Sequence, residues 1–217
     1  MTPAAISLDV FSDPVCPWCY IGKAFLDRAL ESRPTHPFRV EWHPFQLNPE
    51  MPSQGADRAE WLEAKFGDRY KAAEIAARLQ AAADDAGVQM DIGRARRMPN
   101  TLDAHRLIHW AGLEGAQNKV VDALFRAYFR DGLDIGDKAV LTAVADDCGM
   151  DGIAIGRLLD TDADGDDIAA RDADARSKGV TAVPTFLVDR QFVLAGAQPV
   201  ATWQQIIDEI LEQLETQ

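Results

Sequence analysis

SDPVCPWCYIGK, residues 12–23, sets two of the chain's three cysteines, Cys16 and Cys19, on either side of a proline and a tryptophan. On a helix, positions i and i+3 share a face, with Cβ atoms roughly 5–6 Å apart. A disulfide accepts Cα separations up to about 6.8 Å, so two such thiols at a helix start can close and reopen with little backbone movement. Ser12-Asp13-Pro14 is a turn signal, and Pro17 suits the first helical position because its missing N–H has no helical partner there. The pair is therefore expected where a strand ends and a helix begins.

That position predicts unequal roles. The helix dipole and the unpaired N–H groups of the first turn favour a thiolate on Cys16, nearer the exposed tip. Cys19, one turn in, is expected to stay shielded. Cys16 would attack a partner disulfide, and Cys19 would resolve the mixed disulfide. The two site-tuning residues between them, Pro17 and Trp18, carry no charge, so milder oxidising power is expected than beside a cation. Two readings stand against redox chemistry: inert packing of two small hydrophobes, and half a zinc site, which needs two further ligands where no second Cys-x-x-Cys exists.

Working outward, ISLDVF (6–11) is a short β-prone run. Ile21, Phe25, Leu26, Ala29 and Leu30 then recur at helical spacing until Arg33-Pro34. FRVEWHPF (38–45) alternates Phe38, Val40 and Trp42 against Arg39, Glu41 and His43, as a half-buried strand does. From about residue 57 the signals are helical for a hundred residues: Asp57 with Glu60 as a capping pair, an alanine-rich stretch to Ala86 interrupted at Gly67, and a helix from Asn100-Thr101 through Trp110. Two stripes follow, Val120, Val121, Leu124, Phe125, Tyr128 and Phe129, then Leu141, Val144 and Cys148. After a helix near 166–178, TFLV (185–188) and FVLA (192–195) flank Asp189-Arg190-Gln191 as a hairpin. A C-terminal amphipathic helix carries Trp203, Ile207 and Leu211.

No apolar run approaches the roughly 20 residues of a membrane span. With 35 acidic against 22 basic residues, a net charge of −13 repels nucleic acid and anionic lipid over most of the surface. Neither nucleic acid nor membrane is an expected partner. MTPAAISLDVFSDP lacks the basic start and apolar segment of a secretory leader, and three cysteines make no disulfide framework, so a cytoplasmic protein is expected.

SDPVCPWCYIGK, PFQLNPEMP, PNTLDAHRLIHWA and GVTAVPTFLVD resemble, in that order, the motifs of the DsbA-type thioredoxin-like oxidoreductases of the FrnE-like group, and together they span almost the whole chain. The middle two are more particular to this group and to its relatives, the 2-hydroxychromene-2-carboxylate isomerases and kappa-class glutathione transferases. The resemblance implies an α/β, thioredoxin-like fold with an inserted α-helical domain: core 1–52 and 161–217, insertion 53–160, the insertion forming a lid over the active-site groove. It implies thiol-disulfide exchange by Cys16 and Cys19, a cis Val183-Pro184 peptide facing them, and pairing of the Val183 backbone with an extended substrate. Asn48, Asn100 and His105 would lie near that groove. Protein or small-molecule thiols and disulfides are the implied partners, with no bound cofactor and with glutathione as a possible co-substrate.

Two other functions stay open: a glutathione-dependent isomerase or transferase, and a non-catalytic binding module. The isomerase-like relatives commonly hold serine where this chain has Cys16, and serine cannot exchange disulfides. No metal is expected. His105 and His109 are four apart but have no glutamate base between them, and DTDADGDDIAAR (160–171) ends in Arg171 where a calcium loop needs glutamate. Cys148 reads as a packed core thiol.

Overall fold

In the computed structural model, residues 6–67 and 69–215 are described; the N-terminal residues 1–5 of the leader reading lie outside them. The opening is β-α-β: β1 (Ile6–Ser12), α1 (Pro17–Ser32) and β2 (Phe38–Pro44). β1 and β2 run parallel, with Val10 opposite Trp42 and Ser12 opposite Pro44. The alternation read from FRVEWHPF holds, with Phe38 and Trp42 buried and Arg39 and Glu41 exposed.

The connection that follows carries β3 (Ala56–Asp57), α2 (Arg58–Phe66), α3 (Arg69–Ala86), β4 (Arg97–Met98), α4 (Leu102–Leu113), α5 (Gln117–Phe125), α6 (Lys138–Asp147), α7 (Gly152–Leu159) and α8 (Gly165–Ser177). Asp57 caps α2 by accepting the Ala59 and Glu60 N–H groups, and Gly67 closes it at φ 58, a left-handed position natural to glycine. The alanine-rich stretch is therefore two helices. The Val120–Phe129 stripe also departs from a plain α-helix, since Arg126–Arg130 forms a π-helical turn. The wider turn lets Phe125 and Phe129 both stack on Tyr20 of α1 while the Tyr128 hydroxyl reaches the Arg97 carbonyl.

β5 (Thr185–Val188) returns antiparallel to β1, and β6 (Phe192–Ala195) closes a hairpin. Asp189 and Arg190 both take positive φ and the Gln191 N–H bonds the Val188 carbonyl, the primed turn that matches strand twist. The sheet order is β2-β1-β5-β6. α9 (Val200–Glu215) packs along α1, and its fully buried Trp203 meets Phe186 and Phe38 edge-on. This places the β1–α1 junction beside the segment entering β5.

Candidate active site

Cys16 is the N-cap of α1, at φ −86° and ψ 115°, and its side chain makes no capping hydrogen bond. Its N–H bonds the Asp13 carbonyl at 2.9 Å, and its own carbonyl accepts the Cys19 and Tyr20 N–H groups. Pro17 occupies the first turn as expected. All three cysteines are free thiols. The Val183-Pro184 peptide is cis, and the Cys16 thiol donates to the Val183 carbonyl at 3.6 Å across 167 residues of sequence. α1 lies tight against this segment: a Cβ on Gly22 would meet Pro184 Cγ at 3.1 Å. The Pro184 carbonyl is held by the Gly196 N–H at 2.8 Å.

The expected exposed tip is not how Cys16 sits, because it is only 4% exposed and Cys19 only 1%. The segment around Val183 covers the sulfur, while Trp18, at 36%, is the part of the motif that faces outward. Burial pushes the Cys19 thiol well above its ordinary value, and the neighbouring Cys16 adds to the effect. The Ser12 hydroxyl and the Asp13 N–H oppose that shift. Ser12 Oγ is itself buried without a hydrogen bond of normal geometry among the described residues. At neutral pH Cys19 is thus held as a thiol against its partner sulfur.

Beneath the cysteines lies a carboxyl that the sequence reading treated as a turn residue. Asp13 is fully buried. It accepts the Leu47 N–H at 2.6 Å and the Val15 N–H at 3.4 Å, with the Thr101 hydroxyl as a further donor. Burial nevertheless raises it to about 7, the two backbone donors opposing the shift. His105 Nε2 lies 3.7 Å from Asp13 Oδ1, and burial lowers this imidazole to about 3. Nε2 has no hydrogen-bond partner among the described residues. The signal available in sequence was an aspartate bounded by Val10, Val15 and the paired cysteines, where a charge has to be accommodated by the fold.

The other groove candidates are engaged with the protein itself. Asn100 donates to the Met51 carbonyl at 2.6 Å and accepts the Leu102 N–H at 2.9 Å, tying the loop after β2 to the start of α4. Asn48 accepts from Lys65 at 3.2 Å.

The metal decoys resolve differently. Asp164 takes φ 59° at the start of α8 and its carboxylate accepts the Trp110 indole N–H at 2.7 Å; Asp160 accepts from Lys138. His109 contacts Arg171, on a different path from His105. His43 pairs with Asp9 at 2.8 Å. Asp9, Glu41 and His43 have ligand atoms within 4.8 Å of one another and are the described residues that could hold an ion together. Cys148 is buried at the end of α6.

The family described as a DSBA-like thioredoxin domain matches residues 7–208. The curated relative YwbO of Bacillus subtilis (strain 168), described as uncharacterized, is 29% identical over 210 residues, covering 94% of this chain and 96% of that protein. The crystal structure of the "probable DsbA oxidoreductase SCO1869" from Streptomyces coelicolor is 30% identical, with a TM-score of 0.83 over 94% of this chain and 89% of that one. The cytosolic disulfide reductase DsbM from Pseudomonas aeruginosa, solved with GSH, is 19% identical with a TM-score of 0.69 over 95% and 99% of the two chains, a likeness of fold.

Proposed function

Because the chain belongs to the DSBA-like thioredoxin domain family, we propose that it is a thiol-disulfide oxidoreductase that cycles Cys16 and Cys19 between dithiol and disulfide. The observation that carries this reading is the pairing of two sulfurs of unequal character at one helix start. Cys16 stands at the N-cap of α1, and Cys19, one turn in, is a deeply buried thiol beside it. Cys16 attacks a protein or small-molecule disulfide, and Cys19 then displaces the partner.

With Cys16 4% exposed, the rim over it must open for a macromolecular partner, and the Val183 carbonyl must exchange the Cys16 thiol for an incoming donor. Main-chain pairing at Val183 would then align an extended substrate without demanding its sequence. Glutathione is the proposed co-substrate and the cytoplasm the proposed setting, supported at the level of fold by the cytosolic DsbM with its GSH. Among the described residues, no helix is long and apolar enough to cross a membrane. The reading requires no resident cofactor.

Trapping tests it. Cys19→Ser should accumulate a mixed disulfide on Cys16 when mixed with oxidised glutathione, seen as added mass, whereas Cys16→Ser should accumulate none. A glutathione-dependent isomerase would instead keep its activity in Cys19→Ser. Absence of any adduct on Cys16 refutes the exchange reading.

A further inference from the structure

We infer that Asp9, Glu41 and His43 form a binding site for one zinc ion on the β1–β2 side of the sheet, apart from the paired cysteines. Register brings the three together. β1 and β2 run parallel with Asp9 opposite Glu41 and Phe11 opposite His43. Because side chains alternate across a strand, Glu41 and His43, two apart on β2, stand on the same face as Asp9 on its neighbour. One ligand atom from each lies within 4.8 Å of the other two.

That face holds unbalanced charge. Two carboxylates against one imidazole leave it negative whether or not the ring is protonated, and like charges opposed across paired strands are destabilising. His43 Nε2 lies 2.8 Å from Asp9 Oδ1, which engages one carboxylate and leaves the other. Glu41 is exposed and makes no ion pair among the described residues. Arg39, two positions earlier on β2, is exposed and pairs with neither carboxylate among those residues. A divalent ion at the centre of the three satisfies both acids at once.

The donor set selects the ion. One imidazole nitrogen with two carboxylate oxygens suits zinc, which is commonly held by three protein ligands with water in the fourth position, whereas calcium and magnesium take oxygen shells. Zinc bonds of about 2.0–2.2 Å set the ligand atoms of a tetrahedral site roughly 3.3 Å apart. With Asp9 and His43 already 2.8 Å apart and all three atoms within 4.8 Å, closure takes little more than an inward turn of the exposed Glu41 side chain. The imidazole is held in place by Phe11, whose ring stacks on it with centroids 5.2 Å apart. The side chains of Asp9 and His43 are 13% and 25% exposed, so two ligands are shielded while the Glu41 side stays open to water and to the entering ion. On binding, zinc takes the place of the proton between Nε2 and Oδ1, and that proton passes to Nδ1 or to solvent.

Calorimetric titration with zinc chloride tests the site, using the Cys16→Ser/Cys19→Ser protein as parent so that the paired thiols cannot take the metal. One ion per chain is expected, with a rise in melting temperature, because a ligand bound only by the folded state stabilises it. In that parent, Glu41→Gln and His43→Ala should each weaken zinc by about tenfold or more, since even the outer partners of metal ligands cost about 10–100-fold when lost. Glu114→Gln, an exposed acid elsewhere, should leave the affinity unchanged. Cobalt in place of zinc should give visible bands without the near-ultraviolet charge transfer of a thiolate ligand; a thiolate band would put the metal on Cys148 and overturn the site. No stoichiometric zinc in the parent, or equal losses in Glu41→Gln and Glu114→Gln from a diffusely acidic surface, also overturns it. Glu41→Gln changes one exposed side chain and carries the test alone should His43→Ala fail to fold. Should the parent itself fail to fold, the wild-type protein with manganese, an ion suited to carboxylates over thiolates, gives the same comparison. Every one of these outcomes is independent of disulfide exchange by Cys16 and Cys19.

Discussion

The thiol of Cys16 and the carbonyl oxygen of Val183 lie 3.6 Å apart, so the sulfur proposed to attack sits on the backbone group proposed to pair with substrate. Loss of the Cys16 proton breaks that bond and leaves a thiolate at the start of α1, while Cys19 keeps its proton through burial and through Cys16 itself.

Alkylation should follow that asymmetry. With limiting iodoacetamide at neutral pH, peptide mapping should find Cys16 modified at least about tenfold faster than Cys19 or Cys148, because burial holds those two as thiols and the thiolate is the reactive form. Burial raises both Cys19 and Cys148, so their labelling should catch up only as pH rises well above the ordinary thiol range. Equal labelling of all three near neutrality contradicts the assignment of roles.

Asp13 and His105 should impose opposite pH dependences on stability. Asp13 rises from 3.8 to about 7 on folding, so its contribution is full below about 3.8 and is lost as pH climbs to 7. His105 falls from 6.5 to about 3, so its contribution is full above 6.5 and is lost as pH drops towards 3. Between about pH 4 and pH 6.5 the folded state gains one proton on Asp13 and loses one on His105, and the two effects offset one another. Urea unfolding at intervals across that window should therefore show Asp13→Asn gaining stability with rising pH and His105→Gln losing it. Each slope approaches at most about 1.4 kcal/mol per pH unit. Slopes of the same sign in both variants would refute the coupling.

Asp164 is expected to act as a structural acceptor. Asp164→Ala should cost about 1–2 kcal/mol by leaving the Trp110 indole N–H without its acceptor. Added calcium should leave the melting temperature of the wild-type protein where it was; a calcium-dependent rise abolished by Asp164→Ala would show an ion site.

How much of this was legible in the chain depends on whether the physics was local. The β1–α1–β2 unit follows from Pro14, Pro17 and two clean periodicities, and the β5–β6 hairpin from two β-prone runs with a three-residue link. Gly67 announced a break that the alanine-rich stretch then obeyed. The π-turn at Arg126–Arg130 left no local mark, since it exists to let Phe125 and Phe129 meet Tyr20 from another helix. His105 was drawn to the groove by resemblance alone, and its partner Asp13 was hidden by Pro14, whose turn signal accounted for an aspartate fully enough. A buried titratable pair made by a loop and a helix 92 positions further on is a product of topology, and periodicity cannot report it.

The most direct test of the central claim is an equilibrium titration of the Cys16/Cys19 couple in glutathione buffers, with the redox state read by mass after acid quenching. A single reversible two-electron transition is expected, in which Cys16 and Cys19 oxidise together and Cys148 stays reduced. A couple that remains dithiol at every ratio of oxidised to reduced glutathione would contradict it.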